Sequence, residues 1–316
     1  MGQLTEDRTT SEGITIVSSS PTRRPHRRKV ALGGLGLVMT LLLGACSSEQ
    51  VQRGWLPGPE GMTEHTDTLV KFWVDTWIAA LLVGLLVWGL IIWCVIVYRK
   101  RKNDNTLPVQ LRYHLPLELL YTFVPIVMVG VLFFYTVEIQ DAQTDTSAEA
   151  DVHVEVVARQ WSWDFNYVDE DVYDAADMAL EQNSDDYGDA NIVPEEDLPS
   201  LVVPVDQTVE FTLRSRDVVH SFWVPTLLYK LDMIPGETNV FQITPGVEGT
   251  YIGKCAELCG EFHGYMLFNL EVVSQEEYEE HIAALEEAGN TGQLDSSLDR
   301  TSIPAGTQMP GESEED

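Results

Sequence analysis

Cys255-Ala256-Glu257-Leu258-Cys259-Gly260-Glu261-Phe262-His263-Gly264-Tyr265-Met266 gathers two thiols, an imidazole and a thioether within twelve residues. These are soft donors, suited to copper or zinc and not to magnesium or calcium. A thioether rarely ligates zinc, whereas His, Cys and Met together serve copper electron transfer, so Met266 favours copper. A blue-copper centre needs one cysteine. The second, four residues on, allows both sulfurs to bridge two coppers and share one unpaired electron, so that little geometry changes as an electron arrives or leaves. Two coppers need a second imidazole, and His220, in Asp217-Val218-Val219-His220-Ser221-Phe222-Trp223-Val224-Pro225, is the candidate. Taken singly, each residue has a plainer reading: Cys255 and Cys259 could close a disulfide in an oxidising compartment, and His263 and Met266 could simply pack. Their gathering in one loop favours the metal.

Outward from this loop the chain reads as β structure. Val152 to Val157, Val209 to Leu213, Val240 to Ile243 and Met266 to Val273 are rich in β-branched and apolar residues, with Pro-Gly turns at 235–236 and 245–246. The pattern predicts an all-β sandwich or barrel. Between Asp169 and Pro199 lie 12 acidic residues and no Lys or Arg, a stretch expected to leave the sandwich as a solvated excursion. Gln275 to Ala288 reads as an acidic helix, and the chain from Gly289 as an unstructured tail.

The amino-terminal third is of another kind. Ile78 to Tyr98 holds 21 residues without a charge, enough to span a bilayer, with Trp73, Trp77, Trp93 and Tyr98 near its ends. Arg99-Lys100-Arg101-Lys102 follows and marks the cytoplasmic end. Leu119 to Val137 is a second apolar stretch that returns outward, so both tails are external. Further upstream, a basic cluster (Arg23, Arg24, Arg27, Arg28, Lys29) precedes an apolar run from Val30 to Leu43 that is too short to span. This is the order of a secretory signal, and Leu43-Gly44-Ala45-Cys46 resembles the lipobox of bacterial lipoproteins, with Cys46 lipidated. Cys94, inside the first apolar stretch, reads as packing.

The whole 316-residue chain has a formal charge of −31; cutting before Cys46 leaves 13 basic and 47 acidic residues, −34. Such a balance excludes nucleic acid, whose phosphates need a basic face, and suits a cationic partner. Four cysteines exclude a scaffold built on many disulfides.

Over roughly residues 65 to 275 the chain resembles subunit 2 of haem-copper cytochrome c oxidase. The loop has that family's dinuclear copper A spacing, Cys-x3-Cys-x3-His-x2-Met, and His220 stands 35 residues before Cys255, as in the family. The resemblance implies a two-helix transmembrane hairpin followed by an all-β cupredoxin-like sandwich domain. It implies that Cys255 and Cys259 bridge, that His220 and His263 bind one copper each, that Met266 is a weak axial ligand, and that Glu257 offers its carbonyl. It also implies a Mg ion at the border with subunit 1, faced by the Glu257 side chain, with Asp232 close by through water. Gln160-Trp161-Ser162-Trp163-Asp164-Phe165-Asn166-Tyr167 resembles the aromatic segment on which cytochrome c docks, with Trp161 receiving the electron. Glu118, in Glu118-Leu119-Leu120-Tyr121-Thr122-Phe123-Val124-Pro125, falls at the mouth of a proton channel into subunit 1; a carboxylate at a helix start is also favoured by the helix dipole. The chain departs from the family at Ser162 (usually Tyr), Asn166 (often Glu) and Glu237 (often Arg).

The expected organisation is a signal peptide with lipobox at 1–45, an external linker at 46–64, the hairpin at 65–138, the dinuclear copper domain at 151–275 with an acidic insertion at 169–199, and an acidic helix and tail at 276–316. The expected role is to take electrons from a cytochrome c, soluble or within a complex III–IV supercomplex, and pass them to haem in subunit 1, where oxygen reduction is coupled to proton pumping. The expected location is a bacterial cell membrane of the Gram-positive, actinobacterial kind, with the copper domain on its outer face among other oxidase subunits. A quinol oxidase subunit would lack the copper ligands, and a copper-delivering lipoprotein would have no use for Glu118 or Trp161. A nitric oxide reductase also fits the copper loop.

Overall fold

The computed structural model describes residues 48–100, 107, 109–175 and 198–298. Cys46, the signal segment and most of the acidic insertion lie outside them. Two long helices come first, α1 (Thr66–Val97) and α2 (Leu115–Thr144). Both are longer than the apolar stretches that announce them. At about 1.5 Å per residue, the 32 residues of α1 reach about 48 Å, beyond the ~30 Å of a hydrocarbon core. The extra turns lie at the amino-terminal end, where the Trp73 indole donates to Gly54 O at 3.0 Å and meets Trp77 edge-on. At the start of α2, His114 Nδ1 accepts from Leu117 N–H while Glu118 accepts from His114 N–H, so two otherwise orphaned donors are satisfied reciprocally.

The segment before α1 is not the free linker its composition suggests. Met62 is fully buried in the sandwich core, Gly246 N–H donates to Met62 O, and Thr63 bridges to Pro245. Glu64 accepts from Thr244 N–H at 2.9 Å. Residues 61–64 thus dock onto the sandwich immediately before α1 begins.

The sandwich has two five-stranded sheets. One runs in the order β3 (Val172–Ala175), β2 (Ser162–Tyr167), β1 (Val152–Arg159), β5 (Val209–Ser215), β8 (Asn239–Ile243); the other in the order β4 (Ser200–Pro204), β10 (Leu267–Val273), β9 (Gly249–Cys255), β6 (His220–Val224), β7 (Tyr229–Met233). The β1–β5 and β4–β10 pairs are parallel and the rest antiparallel. Inward-facing rings of Trp163, Phe165, Phe211, Phe222, Phe241 and Phe268 meet between the sheets at centroid separations of 4.9–6.2 Å. Gly253 on β9 makes room for one of them, since a Cβ there would come within 2.1 Å of the Phe268 ring.

Two sequence expectations need correction. The acidic stretch does not leave the sandwich at 169: Val172 is buried and β3 pairs with β2, so the described residues up to 175 belong to the sheet. Nor is the chain after Gly289 wholly unstructured. Tyr173 N–H donates to Asn290 O, Gly292 N–H to Asp171 O, and Asn166 clasps Leu294 through both its N–H and its carbonyl, so residues 290–294 run along the β3 edge. The acidic helix, α3 (Gln275–Ala288), begins with a full capping box between Ser274 and Glu277 and buries Tyr278, Ile282 and Leu285.

Candidate metal centre

β6 alternates inward and outward, so His220, Phe222 and Val224 face the core; an imidazole there costs desolvation unless it is bonded. It is bonded on both sides. Nε2 lies 2.8 Å from Asp217 Oδ1 and Nδ1 lies 3.8 Å from Cys255 Sγ. The second contact follows from register, because β6 and β9 pair at Phe222 opposite Cys255, and Ala256 N–H donates to Ser221 O. The loop then turns back. Gly260, at φ +134°, and a short 3₁₀ turn at His263–Tyr265 bring Cys259, His263 and Met266 onto the same point.

The separations are Cys255 Sγ to Cys259 Sγ 3.8 Å, Cys259 Sγ to His263 Nδ1 3.6 Å, and Cys259 Sγ to Met266 Sδ 3.9 Å. Both cysteines are free, which sets aside the disulfide reading. Sulfurs 3.8 Å apart can both stand at the usual metal–thiolate distance of about 2.3 Å from one ion. His220, Cys255 and Cys259 are all buried, and their donor atoms fall within 4.8 Å of one another. The set therefore fits a soft metal.

Electrostatics point the same way. The Cys259 thiol's hydrogen bond to Cys255 Sγ holds the Cys255 pKa well below the ordinary thiol value against the effect of burial, with His220 adding to it. Next to that thiolate, loss of a second proton from Cys259 is opposed, and its pKa is raised. Burial would push the Asp217 carboxyl up, yet the bonds from His220 and from the amides of Gln160 and Val218 outweigh it and hold the pKa low. Burial would likewise lower His220, but Asp217 and Cys255 raise it overall.

Comparisons with known proteins agree with this geometry. Residues 152–273 match the family model described as cytochrome C oxidase subunit II, periplasmic domain. "Probable cytochrome c oxidase subunit 2" of Streptomyces avermitilis is 40% identical over 307 residues, 90% of this chain and 95% of that protein. The chain belongs to the cytochrome c oxidase subunit 2 family. Another member, from Mycobacterium bovis, is 31% identical over 297 residues, covering 81% of each chain. The solved periplasmic domain of subunit II of cytochrome oxidase from Bradyrhizobium japonicum is 26% identical, with a TM-score of 0.37, over 45% of this chain and 97% of that one. As a cytochrome c oxidase subunit 2, the chain is a component of a haem-copper oxidoreductase, and its His/Cys/Cys cluster is consistent with the copper site.

Of the other expected site residues, Glu257 places its carbonyl oxygen 3.2 Å from Cys255 Sγ, and its side chain is exposed. Asp232 stands opposite Ser221 on β7, and Ser221 O in turn bonds Ala256 N–H, so Asp232 and Glu257 are joined through one strand. Trp161 sits at the β1–β2 turn, after a cis Gln160–Trp161 peptide, with its ring edge-on to Phe262. Glu118 is on α2, outside this cluster.

Three positions had no assigned role in the sequence. Asp217 accepts from Gln160 N–H with one oxygen and meets His220 with the other. Gln160 Nε2 donates to Cys259 O at 2.6 Å. Trp163, in the core, donates to Met266 O at 3.3 Å, so the opposite sheet props the ligand loop. A carboxylate three residues before the candidate histidine was the one signal that pointed to Asp217.

Proposed function

We propose that this chain is the electron-receiving subunit of a cytochrome c oxidase, taking single electrons from a cytochrome c into a dinuclear copper A centre for onward passage to haem in subunit 1. The observation that carries the reading is the convergence of five soft donors, from Cys255, Cys259, His220, His263 and Met266, each within 3.9 Å of another. When bound, two coppers would supply a site that gains and loses one electron with little change in shape. Cys255, Cys259, His220, His263 and Met266, with the Glu257 carbonyl, would hold the coppers, the two thiolates being shared between them and one imidazole serving each. His220, Cys255, Cys259 and Met266 are buried away from water while His263 is half-buried, and Asp217 keeps the His220 ring turned so that Nδ1 faces the Cys255 sulfur.

The remaining roles follow from the same reading. Trp161 receives the electron on the donor side. The Glu257 carboxylate, with Asp232 near it, faces a Mg ion at the border with subunit 1. Glu118 lies at the mouth of a proton channel serving oxygen reduction and proton pumping. The hairpin holds the subunit in a bacterial cell membrane with the sandwich outside, and Cys46, freed by signal cleavage, carries lipid.

Copper analysis and optical spectra of the purified oxidase test the centre. Two coppers per chain and a purple mixed-valence spectrum are expected, abolished by Cys255→Ser or Cys259→Ser, whereas Met266→Leu mainly shifts the potential. One copper with a blue spectrum would overturn the reading. Slowed turnover with normal copper reduction in Glu118→Ala tests the channel, and the intact mass of the subunit tests Cys46.

A further inference from the structure

Trp161 is half-buried, and its indole nitrogen is shielded from solvent without meeting an acceptor among the described residues. No hydrogen bond therefore sets the orientation of this ring; packing does. Its neighbours come from the ligand loop. Phe262 meets it edge to face, with centroids 4.9 Å apart and planes at 86°. Gly260 lies under it, where a Cβ would stand 3.0 Å from both Cζ2 and Nε1. The turn that carries Trp161 is fixed separately by Gln160, through its amide to Asp217 and its side chain to Cys259 O. The backbone is thus held by hydrogen bonds, while the ring is held by packing, on Gly260 and the buried core and, as its one aromatic ring partner among the described residues, on Phe262.

Phe262 is itself well placed for this. It precedes His263, and its carbonyl accepts from Tyr265 N–H at 2.9 Å, closing the 3₁₀ turn that aims the histidine. Among the described residues Trp161 is the one aromatic ring in contact with it. Edge-to-face pairs have a preferred geometry that an aliphatic side chain of similar size cannot supply.

We propose that Phe262 is a positioning residue that locks the Trp161 ring against the metal loop, so that an electron arriving at Trp161 has a contiguous packed route to the segment carrying His263. This rests on the reading of Trp161 as the electron-receiving residue. One electron leaves the reduced haem of the donor and is gained by the copper pair, and no bond is made or broken.

The test uses the purified oxidase containing the full chain with Phe262→Ala, Phe262→Leu and Phe262→Tyr, and with Trp161→Ala as reference. Each is mixed in stopped flow with a reduced soluble c-type cytochrome and, separately, with dithionite, a small reductant that does not need the Trp161 surface. Loss of an aromatic pair corresponds to about a two- to tenfold change in population at 25 °C. Phe262→Ala and Phe262→Leu should therefore slow the saturating rate with cytochrome by about that factor, with the half-saturating concentration, the dithionite rate and the copper spectrum unchanged, and Phe262→Tyr should restore it. A normal rate in Phe262→Leu beside a slowed Trp161→Ala overturns this inference alone. Parallel losses with dithionite or in the copper spectrum also overturn it, because Phe262 would then be supporting the loop itself. A normal rate in Trp161→Ala overturns the reading of Trp161, and this inference with it.

Discussion

The hairpin and the sandwich use the same apolar side chains in opposite directions. Along α1 only Thr66 and Val70 are buried, and along α2 no residue is, while Leu85, Trp88, Phe123 and Phe133 point outward. In the sandwich the aromatic residues point inward and meet one another. An apolar helix with no buried face needs an apolar environment from elsewhere, lipid or a neighbouring subunit, whereas the sandwich supplies its own. The stability of the copper-bearing domain should therefore be sensitive to its own core and indifferent to the outward face of the hairpin.

The largest expected effect tests that contrast directly. Phe222 touches the rings of Trp163, Phe211, Phe241 and Phe268 from the strand that carries His220. Phe222→Ala should cost the sandwich about 3–5 kcal/mol in denaturant unfolding. Leu85→Ala, at a position 72% exposed in α1, should leave the same transition within about 0.5 kcal/mol. A comparable loss from both would mean that hairpin and sandwich unfold as one unit.

The join between the two regions sharpens the comparison. Met62 lies four residues before α1 yet is fully buried among sandwich side chains, so it belongs energetically to the sandwich. Met62→Ala should cost about 2–5 kcal/mol in the sandwich transition, the range for a buried methionine. Unfolding followed by the tryptophan signal of the core would read it, and a change near zero would return residues 61–64 to the status of a loose tether.

Within the sandwich, the metal loop and the residues around it differ in how they respond. Asp217→Asn keeps the side chain's size but loses one acceptor, so either His220 Nε2 or Gln160 N–H is left without its oxygen. A partner of this kind to a ligating histidine is typically worth about 10- to 100-fold in metal affinity. Copper titration of the metal-free oxidase should show a loss in that range with little change in apo-protein unfolding. Unchanged affinity would make Asp217 a feature of the turn alone.

The same division governs what could be read from the sequence. The loop was legible because four of its five donors lie within twelve residues and their softness is a property of the residue types. His220 was reached only indirectly, as the second imidazole that two coppers would need, since nothing local marks a histidine on a strand as a ligand. Asp217, Gln160 and Phe262 act through contacts made by folding, across sequence separations of 57 and 99 residues for the Gln160 bonds. The strands divide likewise. β1, β5, β8 and β10 carried apolar runs and were found, but β2 was marked only as an aromatic segment by resemblance, because it buries Asp164 and Asn166, polar side chains that Arg159 and Leu294 bond. β3 was concealed by acidic neighbours, although Val172 alone secures it to the core.

The smallest expected effect lies at the exposed start of the central strand β1, where charge rather than burial holds a contact. His153 on β1 has Nδ1 2.8 Å from Asp169, and its pKa is raised first by that hydrogen bond, which outweighs the opposing effect of burial, with the charges of Asp169, Glu210 and Glu170 adding to it. A histidine whose pKa is higher folded than unfolded stabilises the fold below its unfolded value, about 6.5, and that contribution is lost as pH rises through the folded value. Both side chains are more than 40% exposed, so solvent screening reduces the contact to a few tenths of a kcal/mol. His153→Gln should therefore lower the sandwich's unfolding free energy by about that amount at pH 5.5, and the gap from the unsubstituted chain should close by pH 8. At 1 M salt, where the Debye length falls to about 3 Å, the gap at pH 5.5 should shrink as well. A gap that persists at pH 8 would assign the contact to a neutral hydrogen bond, and this exposed end of β1 would then be held as the core is, without charge.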